Sequence, residues 1–243
     1  MKKIALIPAR GGSKRFPKKN TVLFNEIPLL IYSIRFALYT SFFDKIIVST
    51  DDDAIAEIAT KYGAEVIKRP SAISGDLSLT KETVFHCASF LSLSDDDWIF
   101  TLQPTNPLRP MELIDSVKAI HAAYPKAKSF LSVSLLNRKM GKIEDGQYKP
   151  INYRFGQRSQ DMELTYFENG LLYGTQVSWV NETKEMLEPE PVALITDPIY
   201  SMVDIDDRED LEIAEVIFRQ KKKMFEYLTN ETKYYNPGTK NRV

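Results

Sequence analysis

Residues 7–20, IPARGGSKRFPKKN, set Arg10, Lys14, Arg15, Lys18 and Lys19 around the adjacent glycines Gly11 and Gly12, all before the first acidic residue, Glu26. Long cationic side chains and free backbone N–H groups directly after an apolar run suit phosphate oxygens. Gly11 and Gly12 permit close backbone approach, Ser13 adds a hydroxyl and Asn20 an amide. Neither GxxxxGK[ST] nor GxGxxG occurs in this segment, so it would be a phosphate loop of another kind. A solvated basic turn is the competing reading; the position after a strand and the paired glycines favour the anion site.

A matching set of acids lies far along the chain. In MVDIDDRED (202–210), Asp204 and Asp206 alternate, so on an extended segment both project to one side, as a hard cation requires. Mg²⁺ is the natural ion there, because it takes a few carboxylates together with phosphate oxygens. Asp207, Glu209 and Asp210 read as the cap and first turn of the next helix. Between the two sets, RPSAISGDLSLT (69–80) carries Arg69, Asp76 and Thr80, and LQPTNPLR (102–109) carries Gln103, Thr105, Asn106 and Arg109. Helix capping explains the first segment as well as ligand contact does, and a proline-rich turn explains Pro104, Pro107 and Arg109 equally. His86 and His121 stand alone in helical stretches and read as structural, Cys87 as a buried thiol, and no Ser/His/Asp arrangement is evident.

Such residues converge only if a scaffold brings them together. KIALIPA (3–9), DKIIVST (44–50), AEVIKR (64–69) and DWIFTLQ (97–103) are apolar runs expected to be buried strands. They alternate with amphipathic stretches at 29–39, after Asp51 to Asp53, at 80–91 and after Pro110, the rhythm of βα units on a mostly parallel sheet. This places the loops after residues 9 and 103 at the carboxyl edge of the sheet, where open α/β folds bind ligands. The rhythm breaks after KSFLSVSLL (128–136), and residues 137–167 read as an inserted arm. GLLYGTQVSWV (170–180), VALITD (192–197) and MVDID (202–206) are expected as later strands and 207–218 as a closing helix. Lys221 to Lys223 read as a solvated helix end, and residues after about 227 as a polar tail of one domain over 1–243.

Composition narrows the class. With 32 Lys+Arg against 33 Asp+Glu, the distributed basic excess of a general nucleic-acid binder is missing, so no nucleic-acid partner is expected. One cysteine excludes an internal disulfide framework, and no uncharged run approaches membrane-spanning length, so a cytoplasmic chain without a membrane partner is expected.

Taken in order, IPARGGSKRFPKKN, STD (49–51), RP (69–70), LQPTNPLR, ENG (168–170) and DIDDREDL (204–211) resemble the acylneuraminate cytidylyltransferase family, the CMP-sialic acid synthetases and their relatives for other nonulosonic acids. The resemblance runs over roughly residues 3–217 and implies a Rossmann-like α/β sheet of the nucleotide-diphospho-sugar transferase type with an inserted dimerisation arm. It implies CMP transfer from CTP to an acidic nine-carbon α-keto sugar, with a divalent metal and loss of pyrophosphate. Arg10, Gly11, Gly12, Ser13, Lys14, Lys19 and Asn20 would then hold the triphosphate. Lys19 would stand on the leaving-group side, with Arg10 and Asp206 also catalytic. Arg69, Asp76 and Thr80 would lie around the cytosine and ribose. Gln103, Thr105 and Asn106, with Arg158, Gln160 and Asn169, would contact substrate, Asp204 and Asp206 would take Mg²⁺, and the arm would build a homodimer. The general base stays open between a metal ligand and a carboxylate such as Asp206.

Members that use sialic acid often carry a cationic residue just before a Q[DQ] pair and another two positions before NG; here those places hold Ser159 and Phe167. Arg158 or Arg154 offers a guanidinium nearby for the acceptor carboxylate. The departure leaves a legionaminic- or pseudaminic-type sugar beside sialic acid. It also leaves two alternatives: a nucleotidyltransferase for another NTP or sugar, and a nucleotide-binding regulatory protein without catalysis.

Overall fold

The structure, a computed structural model, describes residues 1–229, apart from the side chains of Ser201 and Met202. Its seven-stranded sheet is built from β1 (Lys3–Pro8), β4 (Lys45–Thr50), β5 (Glu65–Lys68), β6 (Trp98–Thr101), β7 (Ser129–Leu135), β10 (Tyr166–Gln176) and β11 (Val192–Thr196), in the order β11-β7-β10-β6-β1-β4-β5. β10 runs antiparallel to both neighbours, and the other pairings are parallel. Ile4 to Ile7 are buried on both faces of β1, which is why the run shows no polar alternation.

Helices α1 (Leu29–Thr40), α2 (Asp53–Lys61), α4 (Leu113–Ala123), α6 (Arg208–Gln220) and α7 (Lys222–Thr229) contribute to the larger core with Phe24, Tyr32, Phe100 and Phe218. On the opposite face α3 (Thr80–Phe90) and α5 (Val177–Thr183) pack Val84, Cys87, Val177 and Val180 against Ile4, Leu6, Ile47 and Ile99. Local chemistry sets the helix starts. Asp52 caps α2 by accepting from the Ile55 N–H at 3.0 Å, and Asp207 and Asp210 form a reciprocal box at the head of α6. The short strands β2 (Leu23–Phe24) and β3 (Ile27–Pro28) pair across Asn25 and Glu26, both at positive φ, as a two-residue hairpin turn demands.

The structure departs from the sequence expectation in two places. The strand expected over 170–180 starts earlier and stops at Gln176, because Tyr166 to Glu168 pair with β7, while Val177 and Val180 turn onto the α3 face as a helix. Residues 203–205 form no regular element, Asp206 lies at a bend, and the segment pairs with no strand among the described residues; Ile205 N–H donates to the Thr105 carbonyl at 2.9 Å instead. Lys221 to Lys223 are exposed where α6 ends, as expected, and Phe225 and Leu228 then continue the apolar face as α7. The expected polar tail lies outside the described residues beyond 229. The arm holds a hairpin of β8 (Gly141–Glu144) and β9 (Gln147–Pro150), separate from the main sheet.

Candidate active site

A cleft of about 290 Å³ opens at the carboxyl ends of β1, β5 and β6. Of the residues singled out from sequence, it is lined by Arg10, Lys19, Asn20, Arg69, Thr80, Gln103, Thr105, Asp204 and Asp206. Ser78, Leu79 and Thr83 line it too, residues that no motif singles out. The phosphate loop folds back on itself: Asn20 Nδ2 donates to the Arg10 carbonyl at 2.9 Å, and Lys18 turns the chain at φ 58°. Gly11 donates its N–H to Asp51 at 3.0 Å, and a Cβ there would stand 2.7 Å from the Asp52 carboxylate. Gly11 borders a smaller hollow of about 200 Å³ with Lys18 and Asp52; open space surrounds Gly12. Ser13, Lys14 and Asp76 stand outside the cleft lining, Ser13 partly covered and the other two exposed.

The cleft's charges are matched across the fold. Lys19 Nζ lies 2.8 Å and Arg15 Nη2 2.6 Å from Asp206, while Arg10 Nη1 lies 2.8 Å and Lys14 Nζ 2.6 Å from Asp76. Partial burial works to raise the Asp206 carboxyl, but hydrogen bonds and charge from Lys19 and Arg15 outweigh it and hold the group below the ordinary carboxylate range. Asp204 goes the other way. It keeps solvent contact, yet the surrounding protein withdraws hydration and raises its carboxyl; the Thr105 hydroxyl opposes the shift and the Asp206 charge adds to it. Arg69 donates to Ser49 Oγ at 3.2 Å and to the Ser49 carbonyl at 2.7 Å. Burial pushes it down to about 10, with Asp51 opposing, so it remains a cation at neutral pH.

Val203 and Ile205 point into the core, which turns Asp204 and Asp206 toward the cleft. Asn106 fixes this segment: its Nδ2 donates to the Val203 carbonyl at 3.0 Å, and its Oδ1 accepts from the Thr105 hydroxyl at 3.2 Å. Asn106 is therefore buried behind the cleft wall. Arg109, for which a structural place in the proline-rich turn and a ligand contact were equal readings, is structural. It is fully buried and donates to the Leu171 carbonyl at 2.6 Å, the Gln103 carbonyl at 2.6 Å and Ser33 Oγ at 2.9 Å. Gly170, at φ +70°, lets β10 pass close to this loop: a Cβ would stand 2.5 Å from Gln103 Oε1 and 2.6 Å from Asn106 Oδ1.

The residues expected around the acceptor are not brought to the cleft within one chain. Arg158 forms a two-bond fork with Asp161, at 2.7 and 3.0 Å, on the exposed arm beside Gln160. Asn169 is 5% exposed, and its amide is engaged inside the sheet: Nδ2 donates to Ser134 Oγ at 2.9 Å and Thr196 Oγ1 at 2.7 Å, and Oδ1 accepts from Leu171 N–H at 3.2 Å. Ser159 belongs to the arm, and Phe167 pairs with Ser134 in the sheet.

Burial raises the Cys87 thiol to about 12, and His121 packs edge-on to Trp98 at 4.4 Å. Among the described residues no three His, Cys, Asp or Glu side chains converge. Asp204 and Asp206 form a two-carboxylate donor set in which one acid repels the other, which fits a small divalent cation that completes its shell with phosphate oxygens and water.

A cationic loop at the head of a mostly parallel sheet, facing a carboxylate pair, defines an α/β protein of nucleotidyltransferase type. The sequence matches the family model described as Cytidylyltransferase over residues 4–198, and the chain belongs to that family. It is 31% identical over 236 residues to a pseudaminic acid cytidylyltransferase of Campylobacter jejuni, covering 90% of this chain and 97% of that one. To a CMP-N,N'-diacetyllegionaminic acid synthase of Legionella pneumophila it is 33% identical over 229 residues, covering 88% and 95%. A solved CMP:2-keto-3-deoxy-manno-octonic acid synthetase in complex with CTP superposes with a TM-score of 0.68 at 13% identity, over 91% of this chain and 100% of that one, which is a likeness of fold.

Proposed function

We propose that this enzyme transfers CMP from CTP to the anomeric hydroxyl of an acidic nine-carbon α-keto sugar of sialic, legionaminic or pseudaminic type. The supporting observation is the single cleft in which Arg10, Lys19 and Arg69 face Asp204 and Asp206, in a chain similar over nearly its whole length to cytidylyltransferases for such sugars. The sugar hydroxyl oxygen attacks the α-phosphorus of CTP as its proton passes to a base such as the Asp206 carboxylate, the bond from that phosphorus to the oxygen bridging it to the β-phosphate breaks, and pyrophosphate departs with that oxygen. Charge grows on the leaving oxygens, and Lys19 and Arg10, which line the cleft, would stabilise it. Asp204 and Asp206 would hold Mg²⁺, which would supply positive charge to the phosphate oxygens. Gln103, Thr105 and Thr80 line the cleft where the nucleoside and acceptor meet, and buried Arg69 sets a fixed cation behind them.

Arg158 and Gln160 serve the acceptor from the arm of a second copy in a homodimer, a role supported by the arm's exposed apolar residues Ile143, Phe155 and Leu164. Ser159 and Phe167 stand where sialic acid users often carry cationic residues, which admits the pseudaminic and legionaminic types beside sialic acid. The enzyme works in the cytoplasm as one nucleotidyltransferase domain; no described helix is long and apolar enough to cross a membrane. Incubation with Mg²⁺, each of the NTPs in turn and a panel of keto-acid sugars, following pyrophosphate, tests the reading. Turnover confined to CTP with a nonulosonic acid is expected, and tight CTP binding without pyrophosphate release from any pair contradicts it.

A further inference from the structure

Asp76 bridges Arg10 and Lys14 from the side of the loop over 70–79, with contacts of 2.8 and 2.6 Å. These are the cations a polyphosphate would need, and a carboxylate and a phosphate compete for the same N–H donors. The two sides of the phosphate loop differ in how firmly they are closed. Lys19, opposite Asp206, has a side chain only 17% exposed, whereas Lys14, opposite Asp76, is 85% exposed. Exposed pairs of this kind hold weakly and exchange readily.

The 70–79 loop is itself lightly anchored. Its short backbone bonds are local, Ile73 to Pro70 and Ser74 to Ser71 at 3.1 Å and Ser78 to Gly75 at 3.2 Å. Leu77 is 94% exposed and so gives the loop no apolar footing. Yet Ser78 and Leu79, at its end, line the cleft next to Thr80. The ionic tie through Asp76 thus joins the phosphate loop to the wall beside the nucleoside.

We propose that Asp76 is an exchangeable counter-ion and a positioning residue: it holds Arg10 and Lys14 at the edge of the cleft, a polyphosphate displaces it, and its release frees the 70–79 wall. The inference rests on the reading of this cleft as a polyphosphate site. Displacement follows from charge alone, because a bound polyphosphate takes both cations and repels the carboxylate left beside it. A ligand carrying a single phosphate has less charge with which to compete for the pair.

Hydrogen exchange at the Ser74 and Ser78 amides, with inorganic pyrophosphate or CMP as probe, and calorimetric titration of pyrophosphate into wild type, Asp76→Asn and Asp76→Glu test this. Pyrophosphate should speed exchange across 70–79 in wild type severalfold and CMP should not. Asp76→Asn should exchange fast without ligand and bind pyrophosphate about fivefold tighter, while Asp76→Glu restores the wild-type pattern. Wild type that binds pyrophosphate with an unresponsive loop, or Asp76→Asn that binds it no tighter, overturns the counter-ion role alone. Wild type that binds no pyrophosphate overturns the polyphosphate site and this inference together.

Discussion

Around the cleft, charges are paired across the whole chain: Lys19 meets Asp206 187 residues later, and Arg10 meets Asp76 66 residues later. In the arm they are paired with near neighbours, Arg158 with Asp161 three residues on and Lys149 with Glu144 five residues back. The cleft's geometry therefore exists only once the sheet has formed, and the sheet then holds it fixed. The arm needs no sheet to close its own pairs, and it leaves Ile143 and Phe155 uncovered. A preorganised cleft is joined to an arm whose large apolar side chains lie exposed in the single chain.

Several substitutions would sharpen or break that contrast. Lys19→Ala should lower turnover about a hundredfold or more, since it removes a fixed cation from the leaving group; an unaltered rate would remove the leaving-group role. Arg109→Met leaves the carbonyls of Gln103 and Leu171 without their buried donor and should cost about 3 kcal/mol in denaturant unfolding. Arg158→Ala should raise the acceptor KM about tenfold with the CTP KM unchanged, a split that a merely structural arm residue would not give. Phe155→Asp, on the arm's exposed face, should move sedimentation toward the monomer and leave pyrophosphate binding intact.

The smallest effect expected is on acid stability. Asp206 titrates below its unfolded value, so its contribution is fully present above the ordinary carboxylate range and is lost as pH falls through the depressed folded value. Asp204, raised by burial, has the opposite sign: ionising it on the way up through that range weakens the fold slightly. Acid unfolding of Asp206→Asn should show a flatter stability loss than wild type. A steeper one would mean that Lys19 and Arg15 do not set the Asp206 charge.

What could be seen in the sequence follows the same division. The phosphate loop is one continuous stretch, and the alternation of Asp204 and Asp206 with buried Val203 and Ile205 is local, so both were legible. The helix α5 was hidden because GLLYGTQVSWV carries no Gly, Pro or capping residue where strand becomes helix; burial against α3 decides it. Arg109 was hidden for another reason: its partners are backbone carbonyls, which every residue owns and no residue type advertises. Ser78 and Leu79 enter the cleft through the path of the 70–79 loop, and Thr83 from the first turns of α3. Asn169 lies in a motif that was legible, but its amide is engaged by Ser134 and Thr196, partners that only the β7–β10–β11 neighbourhood supplies.

The convergence of loop cations and distant carboxylates on one metal-bound CTP is tested most directly by pyrophosphate release from CTP and a nonulosonic acid across a Mg²⁺ titration, in wild type and in Asp204→Asn, with melting curves confirming that both are folded. Half-saturating Mg²⁺ should rise at least about tenfold in the variant, and in wild type it should rise as pH falls toward the raised Asp204 value. Superimposable Mg²⁺ curves for the two folded proteins would contradict the account.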